Sequence, residues 1–283
     1  MMERSQLETA LIPDARKRSI ADLDETDRQI LDEIQSDFPL DARPFRVVGE
    51  RIGRPEADVI QRVASMRPAI IRQISAIFDT RRLGYRSSLA AFAFAPHRLE
   101  RGAQIINRHP GVSHNYQRNH RFNLWFTLAV SPDADLERSI QKLAELSQPD
   151  DHVVLQTLRM YKIGVELDMS GSRPITERRA MHTARADWDQ VVPLDAKDRA
   201  TIVELQKDIA IVERPFHAVA EALHISDDEL FRGTRELQAR GALRRIAAIL
   251  RHHNAGYAAN AMGVWQVPDE ARTDELGFQM ASF

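Results

Sequence analysis

The chain contains no cysteine in its 283 residues. That absence excludes disulfides, a cysteine nucleophile, thiolate-ligated haem and cysteine-ligated iron–sulfur clusters, and it suits a reducing cytoplasm. No apolar run approaches the roughly 20 residues of a membrane span, and the first residues carry Arg16, Lys17 and Arg18 without the apolar core of a secretory signal. Neither charge sign dominates: Lys+Arg 39 against Asp+Glu 41 leaves a formal net charge of -2. With no overall positive field to draw it to nucleic acid or an anionic membrane, any anion site must be built locally. The remaining composition, 43% hydrophobic and 28% charged, is ordinary for globular protein at a length beyond one average domain. The expectation is a cytoplasmic chain of several domains behind a flexible N-terminal tail over 1–22.

Helical patterning starts at Leu23. Asp24 is placed to cap, Glu25 and Asp27 suit a first turn, and Ile30, Leu31 and Ile34 form an apolar stripe that Pro39 ends. A second helix is expected from Phe45 to Ile52, a turn at Gly53, and a third helix from Pro55 with Val59, Ile60 and Val63 inward. Followed by the β-branched run Ile70 to Phe78, these describe a winged helix-turn-helix over 23–86. Residues 87–169 then read as a strand (Leu89 to Ala95), a helix (Leu99 to Asn107), two strands within Val112 to Val130, a helix (Asp135 to Leu146) and a strand (Val153 to Leu158), with Tyr161 to Met169 as a further candidate strand. The order βαββαβ predicts an α+β, ferredoxin-like domain with a two-layer sheet.

A polar, proline-bounded linker is expected over 170–193, after which the pattern restarts. Leu194 matches Leu23 at an offset of 171 (194 − 23), and the same offset carries Asp27-Arg28 onto Asp198-Arg199 and Arg43-Pro44-Phe45 onto Arg214-Pro215-Phe216. With one residue inserted, Ile74 matches Ile246 and Gly84-Tyr85 matches Gly256-Tyr257, at 172. The fold class is therefore a duplicated winged helix-turn-helix plus ferredoxin-like unit, with a second winged helix over 194–257 and the start of a second ferredoxin-like half over 258–283. That second half is expected to be incomplete by itself, with its first strand at Ala258 to Val267. Truncation, processing or completion by another subunit would each account for this, since a lone strand and helix cannot cover their apolar faces.

The chemistry concentrates in Val112 to Val130, VSHNYQRNHRFNLWFTLAV, where histidines, arginines, asparagines and aromatics share two short strands and a polar turn. The winged helix followed by βαββαβ resembles the Lrp/AsnC family of transcriptional regulators. Gly111-Val112-Ser113-His114-Asn115-Tyr116, with Arg118, His120 and Phe122-Asn123-Leu124-Trp125-Phe126-Thr127, resembles instead the siroheme decarboxylases. So does Arg159-Met160-Tyr161-Lys162-Ile163-Gly164-Val165. Residues 23–169 look like one subunit of that enzyme and 194–283 like the beginning of the other, as in its fused two-subunit form. The resemblance implies removal of carbon dioxide from two acetate side chains of siroheme, giving 12,18-didecarboxysiroheme for heme d1 (denitrification) or alternative haem biosynthesis.

Siroheme carries eight carboxylates on an iron tetrapyrrole, so its pocket calls for fixed cations and flat apolar walls. With period two on a strand, His114, Tyr116 and Arg118 are expected on one face together with Val112. Arg118 and Arg121 offer planar forks for bidentate carboxylate binding, and Arg159 and Lys162 add charge from the neighbouring strand. Asn123 and Trp125 complete the expected substrate contacts. Of Trp125 and Phe126 one is core and only the other can line a pocket; Phe122, Leu124 and Leu128 read as core. Decarboxylation leaves a carbanion equivalent that the macrocycle delocalises, so the protein must hold the carboxylate and supply a proton, a task suited to a side chain that titrates near neutrality. The catalytic candidates are His114 and His120, one orienting or neutralising the carboxylate and one donating the proton; a histidine as axial ligand to the substrate iron is a variant. No separate cofactor and no protein-bound metal are implied. The expected partners are siroheme or a related iron tetrapyrrole and a second AsnC-type half, within the chain or from another subunit; homo-oligomerisation is compatible with this, whereas no membrane is expected.

Two other functions compete. A ligand-responsive DNA-binding regulator would use Arg62, Arg67, Arg232 and Arg235 on phosphates, but its recognition helices open on Pro55-Glu56-Ala57-Asp58 and Ser226-Asp227-Asp228-Glu229, acids where a DNA backbone would lie. A non-catalytic tetrapyrrole carrier would use the same arginines and histidines as the enzyme. The pair His252-His253 suggests metal, yet adjacent strand residues face opposite ways, which favours a solvated wing. His97, His109, His182, His217 and His224 carry no assigned role.

Overall fold

The Asp24 carboxylate accepts from the Asp27 amide at 2.8 Å while the Asp27 carboxylate accepts from the Asp24 amide at 3.3 Å. This reciprocal cap satisfies two otherwise orphaned donors and starts α1, Glu25–Ser36. Pro44 opens α2 (Pro44–Ile52), and Gly53, at φ 68, supplies the left-handed turn before α3 (Glu56–Met66). The chain continues through β1 (Ile71–Phe78), β2 (Arg86–Ala93), α4 (Pro96–Asn107), β3 (Val112–Gln117), β4 (Leu124–Val130), α5 (Leu136–Ser147) and β5 (Asp151–Gln156). A second series follows: α6 (Ala196–Leu205), α7 (Pro215–Ala222), α8 (Asp227–Ala239), β6 (Leu243–Leu250) and the helix α9 (Thr273–Ala281). This computed structural model describes residues 20–67, 69–159, 161, 169, 190–251, 265 and 267–281. The strands expected within 161–169 and 258–267, the pair His252-His253, Lys162 and His182 lie outside the described residues, as does most of the linker.

The chain divides into two compact units. One holds both helix-turn-helix copies, and among the described residues β1 has no strand partner from its own copy. It pairs antiparallel with β6 of the other, Ser75 opposite Ala247, Ile74 opposite Ala248 and Ala76 opposite Ile246. Because Ser75 and Ala247 are themselves repeat counterparts, each copy meets its twin across a local two-fold axis, as in an isologous dimer made within one chain. The loop contacts obey the same symmetry: the Phe38 amide donates to the Ile246 carbonyl and the Ile209 amide to the Ile74 carbonyl, both at 2.8 Å. Phe38, Phe45 and Phe216 are buried there, with ring centroids 5.3 and 6.3 Å apart. The expected β-branched run Ile70 to Phe78 thus forms a strand, and the repeat offers it a better-matched edge than solvent.

The duplication extends to ion pairs. Arg43 holds Glu56 at the first turn of α3, and its counterpart Arg214 holds Asp227 at 2.7 Å at the start of α8, where His217 lies 2.9 Å from the same carboxylate. The hydrogen bond from His217, and then Arg214, keep the Asp227 carboxyl below its ordinary value. A depressed folded pKa contributes stability above the ordinary carboxylate value, and that stability is lost as pH falls through the folded pKa. Asp227→Asn should therefore shift acid unfolding of this unit to higher pH, read as the midpoint of far-ultraviolet circular dichroism against pH; an unmoved midpoint would refute the coupling.

The other unit is the ferredoxin-like half. Its four strands run antiparallel in the order β3-β4-β2-β5, the arrangement that βαββαβ connectivity produces. Alternation decides its two faces. Leu124, Phe126, Leu128 and Val130 of β4 point to α4 and α5, packing on Phe92, Ile106, Ile140 and Leu143. Phe92 and Phe126 meet edge to face at 4.9 Å. Gly102 on α4 is required because a Cβ there would enter the Phe94 ring. The opposite sheet face carries Trp125 and Thr127 of β4, Leu89 and Ala91 of β2, and Val153 and Leu155 of β5.

Candidate functional site

The hairpin β3–β4 begins where backbone meets backbone. Gly111 lies so close to Ala129 that a Cβ would collide with the Ala129 carbonyl oxygen, and the Ala129 amide donates to the Gly111 carbonyl at 2.9 Å. Val112 pairs with Leu128, but the next partner of β4, Thr127, faces His114, leaving Ser113 as an extra residue in a bulge. The bulge flips the alternation. Val112 turns toward the helix-covered core, while His114 and Tyr116, opposite Thr127 and Trp125, take the other face. The expectation that Val112 shares a face with His114 is thereby corrected: strict period two holds only in an unbroken ladder.

Beyond the bulge the expected column forms. The His114 ring stacks on Tyr116 at 6.0 Å with 29° between planes, and the Arg118 guanidinium lies 4.8 Å from the Tyr116 centroid. Trp125, the cross-strand partner of Tyr116, donates its indole N–H to the Phe122 carbonyl at 2.7 Å, which ties the wall to the loop. Phe126 is fully buried on the core face, so of the two neighbouring aromatics it is Trp125 that faces outward.

The loop of residues 118–123 carries His120 and Arg121. The Phe122 amide donates to His120 Nδ1 at 3.2 Å. An amide can only donate, so the neutral ring bears its proton on Nε2. Phe122 is half-buried rather than core: it stacks at 6.1 Å with His120 and lies 5.3 Å beneath the Arg121 guanidinium. Asn123, expected as a substrate contact, is held within the sheet. Its amide nitrogen donates to the Phe94 carbonyl at 2.7 Å and its oxygen accepts from the Phe94 amide at 3.0 Å, so both arms clamp the end of β2 to the hairpin. Arg159 is exposed beyond β5.

Two participants were missed in the sequence. The Ser113 hydroxyl lies 3.0 Å from His114 Nδ1, a contact that depends on the bulge. Asp151 receives Arg121 Nη2 at 2.5 Å across thirty residues of chain, and no local pattern signals such a pairing. The arrangement offers stacked aromatic faces, two guanidinium groups and two imidazoles at one end of an exposed sheet face, chemistry suited to a flat polycarboxylate. Among the described residues no group of three or more His, Cys, Asp or Glu side chains could hold a metal ion, and no helix is long and apolar enough to cross a membrane.

Three of the four arginines a DNA-binding reading would use are otherwise engaged. Arg62 is held by Asp24, Asp27 and Asp58, Arg67 by Asp208, and Arg235 lies against Phe231 while donating to the Leu40 carbonyl.

A family model described as an AsnC-like ligand binding domain matches residues 82–162, and a siroheme decarboxylase NirDL-like HTH domain matches residues 27–72 and 198–244. A siroheme decarboxylase of Hydrogenobacter thermophilus is 40% identical over 257 residues, 90% of this chain and 75% of that protein. The siroheme decarboxylase NirDL subunit of Paracoccus denitrificans is 34% identical over 261 residues, 92% of this chain and 77% of that one. The crystal structure of the siroheme decarboxylase NirDL superposes with a TM-score of 0.70 at 35% identity, covering 92% of this chain and 74% of that chain. A second structure, of NirDL in co-complex with an iron-uroporphyrin III analogue, gives 0.69 at 34% identity over the same shares of the two chains. By this extent of identity and shared architecture, the chain belongs to the siroheme decarboxylase family, a family of carboxy-lyases.

Proposed function

We propose that this chain decarboxylates siroheme on two acetate side chains, giving 12,18-didecarboxysiroheme for heme d1 synthesis in denitrification or for an alternative haem route, in the cytoplasm. The observation that carries the reading is the column His114–Tyr116–Arg118 beside Trp125, with His120 and Arg121 on the exposed loop that joins β3 to β4. Stacked rings suit the macrocycle's face, and the forks of Arg118 and Arg121 suit its carboxylates. Arg159, exposed beyond β5, adds charge, and Lys162 is the further cation that the sequence motif supplies. The co-complex of the NirDL relative with an iron-uroporphyrin III analogue supports an iron tetrapyrrole as the ligand.

In each event the bond between the acetate methylene and its carboxylate carbon breaks, carbon dioxide departs, and the electron pair remains on the methylene, delocalised into the macrocycle. A proton delivered to that carbon leaves a methyl group. His120, with its Nδ1 facing the Phe122 amide, keeps Nε2 as its open nitrogen and suits the donor role once the ring takes up a proton, returning to neutral imidazole on donation; His114, beside Ser113, suits the orienting one. The macrocycle is its own electron sink, so the reading calls for no separate cofactor, and the iron arrives with the substrate. A second AsnC-type half, from this chain's own repeat or another subunit, would face this one, consistent with relatives named as alpha, NirD and NirG subunits.

Anaerobic incubation with siroheme followed by mass spectrometry should show loss of two carbon dioxide units. Siroheme recovered intact under conditions where it is tightly bound would refute decarboxylation and favour a carrier.

A further inference from the structure

Arg121 stands on the loop after β3, and its Nη2 reaches Oδ2 of Asp151, the first residue of β5, at 2.5 Å. The two are neighbours because β4 and β5 both flank β2: Phe92 pairs with Leu124 and Ala93 with Asp151, so the hairpin loop and the start of β5 share one end of the sheet. Each partner is anchored from behind. The other Asp151 oxygen accepts from the His152 amide at 2.8 Å, and the Arg121 guanidinium rests on Phe122. Both side chains nevertheless remain open, 72% and 44% exposed. Ion pairs this exposed add little to stability, yet this one ties up the planar fork best placed for an incoming carboxylate.

We infer that Asp151 sets the substrate affinity of this site: its carboxylate occupies the Arg121 guanidinium in place of a substrate carboxylate and is displaced when a polycarboxylate tetrapyrrole binds. The inference rests on the function proposed above. No covalent change is involved; one carboxylate exchanges for another on the same guanidinium. The exchange also makes the site selective. A lone small anion gains nothing beyond the contact Asp151 already provides, whereas a tetrapyrrole brings stacking and further carboxylates to Arg118 along with the exchange.

Anaerobic titration with siroheme, followed by its visible absorbance, tests this on the whole chain. Asp151→Asn should tighten binding about threefold, the scale on which an exposed pair competes, and Asp151→Glu should restore the parent affinity. Glu137→Gln removes the same charge from the Arg86 pair, 3.3 Å long at the opposite end of the sheet, and should leave affinity unchanged. In an Arg121→Ala background, Asp151→Asn should have no effect. Weaker or unaltered binding by Asp151→Asn would overturn the inference, as would equal tightening by Glu137→Gln. A parent chain that binds no siroheme would instead overturn the proposed function and this inference with it; a parent that binds while ignoring Asp151 counts against the inference alone.

Discussion

Replacing His120 or His114 with alanine is expected to lower siroheme turnover by about 10²- to 10⁴-fold, the range a positioned general acid or base contributes. Neither substitution should disturb the fold. Both side chains are exposed, His120 on a loop and His114 on the open sheet face, and neither belongs to the core. The two variants should differ in kind. Loss of the proton donor stalls the intermediate after carbon dioxide has left, so exchange of carbon dioxide into unreacted siroheme should survive while methyl product disappears. Loss of the orienting ring removes both. Product analysis by mass spectrometry in labelled carbon dioxide reads the difference, and full activity in both variants would sink the histidine assignment. Because Phe122 fixes the His120 tautomer through its main-chain amide, the geometry that presents Nε2 should persist whatever side chain stands at position 122.

Phe126→Ala should cost about 3–5 kcal/mol in the ferredoxin-like unit, the range for deleting a fully buried phenyl ring. Phe126 sits at 0% exposure in the middle of β4, edge to face with Phe92 and beneath α4 and α5. Relaxation is limited, since Leu124 and Leu128 on the same face are already buried against the same helices. With two compact units a single denaturation midpoint is not well defined. Amide hydrogen exchange in β2 and β4 is the direct measurement, and protection there should fall roughly 10²-fold or more. Protection in β1 and β6 should be unaffected. An unchanged exchange rate in β4 would mean that the sheet does not depend on this ring. The same substitution tests the site, because Trp125 is its neighbour on the opposite face and Tyr116 reaches the column only through pairing with Trp125.

Much of this architecture is legible in the chain because it rests on local rules. Asp24 and Asp195 announce helix starts through reciprocal caps that need only three residues of spacing. Alternation in Leu124 to Val130 puts Trp125 and Phe126 on opposite faces without any knowledge of the other strands, and burial of Phe126 then leaves Trp125 outward. The offset between the copies shows that there are two helix-turn-helix units. It does not reveal that β1 would ignore its own copy and pair with β6, since antiparallel pairing with a twin and with a local wing use equally apolar strands.

The site divides along the same line. That His114, Tyr116 and Arg118 stand together follows from their spacing along the chain; that Val112 does not join them follows from the bulge at Ser113, which only the register with β4 reveals. Asn123 has the composition of a ligand contact and the position of a clamp, and only the approach of Phe94 distinguishes them. The sequence by itself determined the residue types of the pocket, the βαββαβ order and the duplication, because composition, periodicity and repeat are properties of a line. Only the tertiary structure decided which side chains share a face and which carboxylate answers Arg121. Those depend on strand register and on residues thirty positions apart meeting at one end of a sheet.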